Sequence, residues 1–241
     1  MARMIKKLYD IEYNGVKAGS LGAYALERPD IPSPVKNVTT YTVPGRDGVL
    51  TQWDGSYAPI TIELRIGFHA KENLWMEKCR EIRTWLLSEG NRILRLGDDS
   101  GYFYRVSDVT VGTAARTARL VGEVPVSFLC DPYTYLDSGL LEHDVYDVRN
   151  NPYDICHPTI IITSTYDEDC FIRINGNFMW VTSGQDLIID TDRMAAYTSQ
   201  GVSMNSRMTG EYEGLYLKPG LNEIQTKWHF DYRIIPNWRR L

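Results

Sequence analysis

The side chains best suited to acid–base chemistry in this sequence are two clusters of carboxylates. The stretch DLIIDTD places Asp186, Asp190 and Asp192 at even spacing, which puts them on one face if the strand is regular. Two carboxylates can hydrolyse a glycosidic bond when they lie about 5–9.5 Å apart in a cleft that holds the sugar. Because no neighbouring segment supplies such a cleft, we interpret these aspartates as an exposed acidic face.

The second cluster, DEDC, holds Asp167, Glu168 and Asp169 between two predicted strands. Consecutive acids at a hairpin tip are usually solvated, and weak Ca²⁺ binding is the alternative. We expect solvated side chains here as well.

Histidine spacing gives no metal site. His69, His143, His157 and His229 share no ligand spacing, and Cys156 adjoins His157. Adjacent residues of a strand point to opposite faces, so joint ligation by this pair is awkward. We expect no bound metal.

The four cysteines are widely spaced and form no C-x-x-C pair. Buried, reduced thiols made in a reducing cytosol are the favoured interpretation, and disulfides are the alternative. The cysteines are Cys79, Cys130, Cys156 and Cys170.

Common catalytic and nucleotide-binding motifs are missing from the sequence. There is no G-x-S-x-G, no H-E-x-x-H, no G-x-x-x-x-G-K-[ST] and no dinucleotide fingerprint. We therefore expect no enzyme activity and no cofactor. This profile suits a structural or binding protein.

Composition is that of an ordinary globular protein. The 241 residues are 43% hydrophobic and 24% charged, enough for one large β domain or two smaller ones. No apolar stretch approaches the roughly 18 residues of a membrane span. The start, MARMIKKLYDIEYNG, lacks the apolar segment of a signal peptide, so we expect neither a leader nor membrane insertion.

Charge divides the chain into two halves. Residues 1–135 hold 17 Lys and Arg against 16 Asp and Glu, whereas residues 136–241 hold 9 against 15. We place the domain boundary in turn-rich sequence, giving domains 1–137 and 138–241. The acidic second half argues against sequence-specific nucleic-acid binding, because phosphate contacts need clustered Lys and Arg.

One helix is predicted, from Glu72 to Glu89 with Gly90 as its C-cap. Its apolar residues recur at intervals of four, three and four, which gives a single buried stripe. The stripe consists of Trp75, Cys79, Ile82 and Leu86, widened by Trp85.

The remaining segments predict β-strands. In the first half they include a hairpin that turns at Asn14-Gly15 and a long final strand in ARTARLVGEVPVSFLCDP. In the second half, short strands follow one another at sandwich-like intervals. These are PTIIITST, CFIRING, NFMWV, QDLIID, EGLYLKPGLNEI and WHFDYRIIPNW.

The stretch VPGRDGVL, residues 43–50, predicts a turn between two strands. Pro44 cannot donate to a sheet, while Gly45 and Gly48 can adopt the positive φ of tight turns. The glycines flank an opposite-charge pair, Arg46 and Asp47. A plain hairpin tip is one interpretation, and a positioned contact pair is the other.

In their order, these segments resemble the distal tail protein (Dit) family of long-tailed, non-contractile bacteriophages. The resemblance rests on YTVPGRDGVL, the Trp-containing helix, RILRLGDDSGYFYRV and VPVSFLCDPY in the first half. It continues through IIITST, IRINGNFMWV, DLIIDTDRMAAY, LYLKPGLNEI and IIPNWRRL. P-G-R-D-G alone would be a weak signal, so the order of the whole set carries the resemblance.

The resemblance implies a mostly β (α+β) fold. It implies an N-terminal belt domain, a tail-tube-like split β-barrel with one α-helix, and a C-terminal galectin-like β-sandwich. It also implies a virion structural protein at the tail tip, assembled in the host bacterial cytoplasm. Some relatives carry inserted carbohydrate-binding modules, for which this chain is too short.

The assembly implied is a hexameric ring that joins the tail tube to the tail-tip, or baseplate, apparatus. The implied partners are other copies of the chain, the tail tube protein and the tail-tip hub or tail-associated protein. The tape measure and receptor-binding proteins are further candidates. A closed ring needs head-to-tail interfaces, for which residues 29–38 and 44–55 are the candidate arms. Within the second arm we expect Pro44, Gly45, Arg46, Asp47 and Gly48 at the interface, with the charged pair bonding either inside the turn or across subunits.

Two other functions stay open at this stage. One is a carbohydrate-binding adhesin that contacts host-surface glycans through Trp180 or Trp228. The other is a cell-wall hydrolase, for which the sequence offers no recognisable site.

Overall fold

The computed structural model describes residues 9–241. The first eight residues, and with them most of the segment inspected for a signal peptide, lie outside the described part. The described chain forms two compact units, unit 1 up to Thr134 and unit 2 from Tyr135 to Arg240. The sequence placed the boundary between residues 137 and 138.

Unit 1 is built from short and long β-strands around one α-helix. Within residues 9–134 the α-helix is α1 (Trp75–Leu86), preceded by a 3₁₀ turn at Glu72–Leu74, and a second 3₁₀ turn covers Ala18–Leu21. The strands are β1 (Ile11–Tyr13), β2 (Val16–Lys17), β3 (Ala23–Ala25), β4 (Lys36–Tyr41), β5 (Leu50–Tyr57), β6 (Ile60–His69), β7 (Ile93–Leu96), β8 (Tyr102–Val111), β9 (Ala115–Ala118) and β10 (Val121–Cys130).

Its main sheet is antiparallel and curls into a split barrel. The strand order is β2-β1-β7-β8-β10-β6-β3. Tyr9, just before β1, bridges to Ala25 in β3, which brings the two ends of this order together. The core fills the inside with alternate residues of the long strands, such as Ile62, Leu64 and Ile66 of β6 and Val124, Val126 and Phe128 of β10. The predicted mostly β fold with one helix is confirmed.

Helix α1 packs the predicted stripe against the sheet. Trp75, Cys79, Ile82 and Leu86 are buried, as is Trp85, whose indole N–H donates to the Tyr13 carbonyl at 3.0 Å. No helix within residues 9–241 is long and apolar enough to cross a membrane.

The predicted end of the helix is wrong. The last helical residue is Leu86, and the Leu87 N–H caps it by donating to the Arg83 carbonyl at 2.9 Å. Gly90 instead makes room for the Asn14 side chain, since a Cβ at position 90 would lie 2.7 Å from Asn14 Cγ. Asn14 donates to the Ser88 carbonyl at 2.8 Å, so tertiary contact and not a helix cap requires this glycine.

The hairpin predicted at Asn14-Gly15 is confirmed, with φ of 52° and 75° at the two turn residues. The long strand predicted near residue 120 is instead two strands, β9 and β10. They pair as a hairpin that turns at Arg119 and Leu120. Neither turn residue is Gly, Pro, Asn or Asp, so the sequence carries no turn signal there.

Unit 2 consists of short strands and 3₁₀ turns. The turns are Asp137–Leu140, Asn205–Arg207 and Tyr212–Leu215. The strands are β11 (Thr134–Leu136, starting one residue before the division), β12 (His143–Asp144), β13 (Asn150–Asn151), β14 (Thr159–Thr163), β15 (Cys170–Ile174), β16 (Asn177–Val181), β17 (Asp186–Asp190), β18 (Ala195–Tyr197), β19 (Met208–Thr209), β20 (Gly220–Leu221), β21 (Ile224–Thr226), β22 (Asp231–Ile235) and β23 (Arg239–Arg240).

Two antiparallel sheets dominate unit 2. Their orders are β12-β22-β14-β17-β18 and β19-β16-β15-β21. Each contributes one buried face, for example Ile160 and Ile162 from β14 and Ile172 and Ile174 from β15. The Tyr232 hydroxyl of the first sheet donates to the Phe171 carbonyl of the second at 2.8 Å, so the sheets pack as a sandwich.

One strand prediction in this unit is wrong. EGLYLKPGLNEI is not one strand but a 3₁₀ turn, the two-residue β20 and the three-residue β21. Asn222 interrupts it, because its buried amide donates to the Arg149, Lys218 and Gly220 carbonyls.

All four cysteines are buried and free, as predicted. Burial raises the pKa of the Cys130 thiol to about 12 and those of Cys156 and Cys170 to about 11.

Candidate assembly interface

The candidate interface in unit 1 is the hairpin formed by β4 and β5, residues 36–57. Its two strands pair with each other, Tyr41 opposite Leu50 and Thr39 opposite Gln52, and with no other strand of the described chain. Both faces are solvent-exposed along most of its length. The hairpin therefore presents two open edges and no buried face of its own. Its exposed apolar side chains are Val38, Tyr41, Val43, Val49, Leu50 and Trp53.

A bulge near its base shapes the hairpin. Lys36 pairs with Tyr57 and Val38 with Trp53, so β5 carries extra residues, and Gly55 adopts φ 95° there. Asp54 Oδ1 accepts from the Ser56 N–H and hydroxyl, both at 2.8 Å. These hydrogen bonds lower the pKa of the Asp54 carboxyl.

Trp53 is fixed by the same bulge. Its indole N–H donates to the Ser56 carbonyl at 2.8 Å, and Lys36 Nζ lies 4.6 Å from its ring centre. Tyr57 continues this contact chain, with its ring centre 5.6 Å from Trp53 and 6.3 Å from Tyr133. The base of the hairpin is thus held by aromatic contacts.

Of the proline-interrupted arm predicted at residues 29–38, residues 36–38 are the start of β4, whereas residues 29–35 form a segment without regular structure. Its start is held by Arg28, whose Nε lies 2.8 Å from Asp98 Oδ2. Tyr9 also donates to Asp98, and this bond is the main reason why the pKa of Asp98 is lowered. Its end is held by the Ala58 N–H, which donates to the Val35 carbonyl at 2.8 Å.

The tip of the hairpin holds the five residues singled out in the sequence. The Arg46 N–H donates to the Val43 carbonyl at 3.2 Å, with Pro44 and Gly45 between them. Gly45 has φ 80°, so these four residues form a type II turn. Gly48 follows with φ 81°. Both glycines adopt the positive φ that the sequence predicted.

Arg46 and Asp47 lie together at this tip and are exposed. Within residues 9–241 neither side chain makes a hydrogen bond or an ion pair, in contrast to Asp54. The backbone hydrogen bond closes the turn, and no side chain of the described residues bonds to the charged pair.

The acidic stretch DLIIDTD does not lie on one strand face. Asp186 and Asp190 belong to β17, but the strand ends there and Asp192 lies in the following turn. Asp190 is 9% exposed and accepts from the backbone N–H groups of Asp192 and Arg193. The predicted exposed acidic face is therefore wrong, because Asp190 closes the turn.

The acids of DEDC have specific partners and are not merely solvated. Asp167 accepts from the Ser183 hydroxyl, and Glu168 forms an ion pair with Lys227 at 3.0 Å. Asp169 accepts from the Ser183 N–H at 3.2 Å. These bonds hold the loop before β15 against the loop after β16.

His157 is held in a polar contact network beside the buried thiol of Cys156. Its Nδ1 lies 2.8 Å from Asp192 Oδ1, and its ring stacks on Tyr216 at 3.9 Å. Arg239 donates to its Nε2 at 2.9 Å. Residues 9–241 contain no group of three or more His, Cys, Asp or Glu side chains arranged to hold a metal.

The two tryptophans considered for glycan contact lie in different places. Trp180 is on β16 and is 49% exposed, with its ring centre 5.1 Å from Phe171. Trp228 follows β21 in a turn and is 80% exposed.

Sequence reasoning missed the bulge of the hairpin and the neighbours of Trp180. Asp54-Gly55 repeats the Asp-Gly signal of the tip inside a strand, which could have indicated the bulge. Phe178 precedes Trp180 by two residues, the spacing that puts both on one strand face.

No protein-family model matches the chain, and no curated protein matches its sequence. Among solved structures, SPP1 Dit (gp 19.1) matches with a TM-score of 0.59 and 14% sequence identity. That protein is described as a paradigm of the hub adsorption apparatus in phages that infect Gram-positive bacteria. The likeness covers 97% of this chain and 99% of SPP1 Dit, so across nearly its whole length the chain has the fold of that protein.

Proposed function

We propose that the chain is a virion structural protein of a bacteriophage, a distal tail hub without catalytic activity. The observation that carries this proposal is the fold shared with SPP1 Dit, which extends over both units and not over one widespread domain. A likeness confined to the sandwich would support no function, since that architecture serves many.

The ring is the second part of the proposal. Six copies join head to tail, each using one surface to contact a different surface of its neighbour. Permanent interfaces of this kind commonly bury about 2,000–5,000 Å². The β4–β5 hairpin, with its open edges and exposed Tyr41, Leu50 and Trp53, supplies apolar contact area that residues 9–241 leave partly uncovered.

Position and partners follow from this role. The ring stands at the tail tip, with the tail tube protein on one side and the tail-tip hub or tail-associated protein on the other. The chain assembles in the host cytoplasm, where its four free thiols would stay reduced. Unit 2 is the galectin-like part in shape, without sugar affinity being needed for this role.

Light scattering coupled to size-exclusion chromatography tests the ring. At micromolar concentration we expect particles of about six times the 27.6 kDa chain mass, and closed rings by negative-stain microscopy. Particles of 27.6 kDa alone, both free and in the presence of tail tubes, would contradict the proposal.

A further inference from the structure

The outer face of the second sheet of unit 2 carries three partly exposed aromatic side chains. Phe178 and Trp180 lie two residues apart on β16, and Phe171 lies opposite Trp180 on β15. The Phe178 and Trp180 rings are nearly parallel, at 10°, with centres 5.7 Å apart. Phe178 is 40% and Trp180 49% exposed, so neighbours cover about half of each ring. The indole thus keeps an open surface toward solvent.

A row of polar side chains borders these rings on the same face. Arg173 lies opposite Phe178 on one side and Gln225 on the other. Arg173 Nη1 donates to Gln225 Oε1 at 3.1 Å, and Gln225 Nε2 donates to Glu223 Oε1 at 2.7 Å. This chain of bonds fixes the orientation of the Gln225 amide. It leaves further N–H donors on Arg173 and acceptor capacity on Glu223.

The exposed area is too small for a protein partner to depend on it. An aromatic side chain presents about 150–250 Å², so the open parts of Phe178 and Trp180 together amount to roughly 200 Å². A stable protein interface needs about 800 Å² from each partner. A single sugar ring is small enough to cover the open surface of one indole.

We propose that this face binds a neutral pyranose ring, with its C–H face on Trp180 and its hydroxyl groups at Arg173, Gln225 and Glu223. The aromatic face is electron-rich and attracts the weakly positive C–H groups of a sugar. Hydroxyl groups both donate and accept, and the polar row offers both kinds of partner. Trp180 and Arg173 are diagonal neighbours across two strands, about 7–8 Å apart, which a pyranose with its hydroxyls spans.

Charge selects a neutral sugar over an acidic one. Arg173 and Glu223 compensate each other within the polar row, and residues 136–241 hold 9 basic against 15 acidic residues. Like charges across an interface oppose binding. A uronic acid is therefore expected to bind more weakly than the corresponding neutral hexose. The site is independent of ring formation and goes beyond the hub role.

Saturation-transfer difference NMR on the full chain tests the site, with methyl β-D-galactopyranoside, methyl α-D-glucopyranoside and N-acetylglucosamine as probes. We expect transfer to the protons on one face of at least one probe, at millimolar affinity. Trp180→Ala should abolish the transfer, Trp180→Phe should keep part of it, and Gln225→Ala should weaken affinity at least fivefold. Trp228→Ala is the matched control, since Trp228 is exposed but lies in the turn after β21, and should bind as the unmodified chain does.

Three results would overturn the proposal. The first is no transfer from any probe to the unmodified chain, and the second is loss of transfer in Trp228→Ala with retention in Trp180→Ala. The third is a Trp180→Ala variant that binds sugar normally but forms fewer rings, which would assign the face to protein contact. Thermal unfolding of each variant separates loss of the site from loss of the fold.

Discussion

At the scale of single residues, backbone conformation and charge can be tested separately at the tip of the β4–β5 hairpin. Gly45 and Gly48 hold φ near 80°, and a Cβ at either position would meet nothing within 4 Å. These positions therefore require glycine because of their backbone conformation, and not because a side chain would clash with a neighbour. The side chains of Arg46 and Asp47 make no hydrogen bond or ion pair within residues 9–241, so truncating either one removes no such internal bond.

Replacing Asp47 by Ala should leave the melting temperature unchanged and lower the fraction of chain in rings. The free energy of unfolding should change by less than about 0.5 kcal/mol, because the side chain is exposed and unbonded. If Asp47 bonds across subunits of the proposed ring, its bond is lost at every interface, so a small loss per contact is multiplied. Asp108→Ala, at an exposed acid on β8, is the control. Unchanged rings with a lowered melting temperature would mean that Asp47 only stabilises its own turn.

Replacing Gly48 by Ala should destabilise the turn by about 1–2 kcal/mol through backbone strain alone. Gly48→Asn should cost less, because Asn tolerates the left-handed region. Amide hydrogen exchange of residues 42–50 measures the effect. Equal exchange in Ala and Asn variants would mean that the loop changes conformation to relieve the strain.

At the scale of elements, predictions from the sequence were correct where hydrophobic periodicity or turn-forming residues gave a local signal. The α1 stripe and the Asn14-Gly15 and Pro44-Gly45 turns are local features, and all three are confirmed. The failures have tertiary causes. Gly90 leaves room for the side chain of Asn14, which lies in the turn after β1, and Asn222 interrupts a strand by donating to carbonyls up to 73 residues away. The sequence singled out residues 44–48 as a candidate site, but only the structure shows that the Arg46 and Asp47 side chains make no hydrogen bond or ion pair within residues 9–241.

The two tryptophans of α1 offer a matched pair for measuring a buried hydrogen bond. Trp85 donates to the Tyr13 carbonyl, whereas the equally buried Trp75 N–H has no hydrogen-bond partner in the described chain. Trp85→Phe should therefore destabilise unit 1 by about 1–3 kcal/mol more than Trp75→Phe. Urea unfolding followed by circular dichroism gives both values. Equal losses would show that packing, and not the bond, dominates at both positions.

At the scale of the whole molecule, the division into two units predicts where the chain can be cut. In unit 2, β11 pairs with β23, and the Leu136 N–H donates to the Trp238 carbonyl at 3.0 Å. Gly139 packs against Trp238, where a Cβ would lie 2.4 Å from the backbone nitrogen. A fragment starting at residue 140 loses these contacts.

We expect residues 135–241 to fold alone and to melt at a higher temperature than residues 140–241. The longer fragment retains Tyr135 and Leu136 of β11 as partners for β23, whereas the shorter one lacks β11 entirely. Residues 1–134 should retain ring formation, since they contain the hairpin. Differential scanning calorimetry of the fragments checks this, and insoluble fragments alongside one cooperative transition in the full chain would contradict it.

The buried thiols predict how stability varies with pH. The ordinary thiol pKa is 9.0, and burial raises that of Cys130 to about 12 in the folded chain. Between these values the unfolded chain releases thiol protons that the folded chain keeps, so the free energy of unfolding falls as pH rises. Iodoacetamide labelling at pH 8, read by mass spectrometry, should modify Cys130, Cys156 and Cys170 only after unfolding. Labelling of the native chain at the unfolded rate would show that these sites open.

The open edges of the β4–β5 hairpin also bear on how the protein must be produced. A strand edge with unpaired backbone groups and exposed Val38, Tyr41 and Trp53 can pair with any extended chain, including those of unrelated proteins. The charges of Lys36, Arg46, Asp47 and Asp54 along the ribbon discourage such mispairing without preventing it. If the proposed ring forms, a copy that has not yet been incorporated is prone to aggregate, so high-level expression of the chain alone is expected to give aggregates.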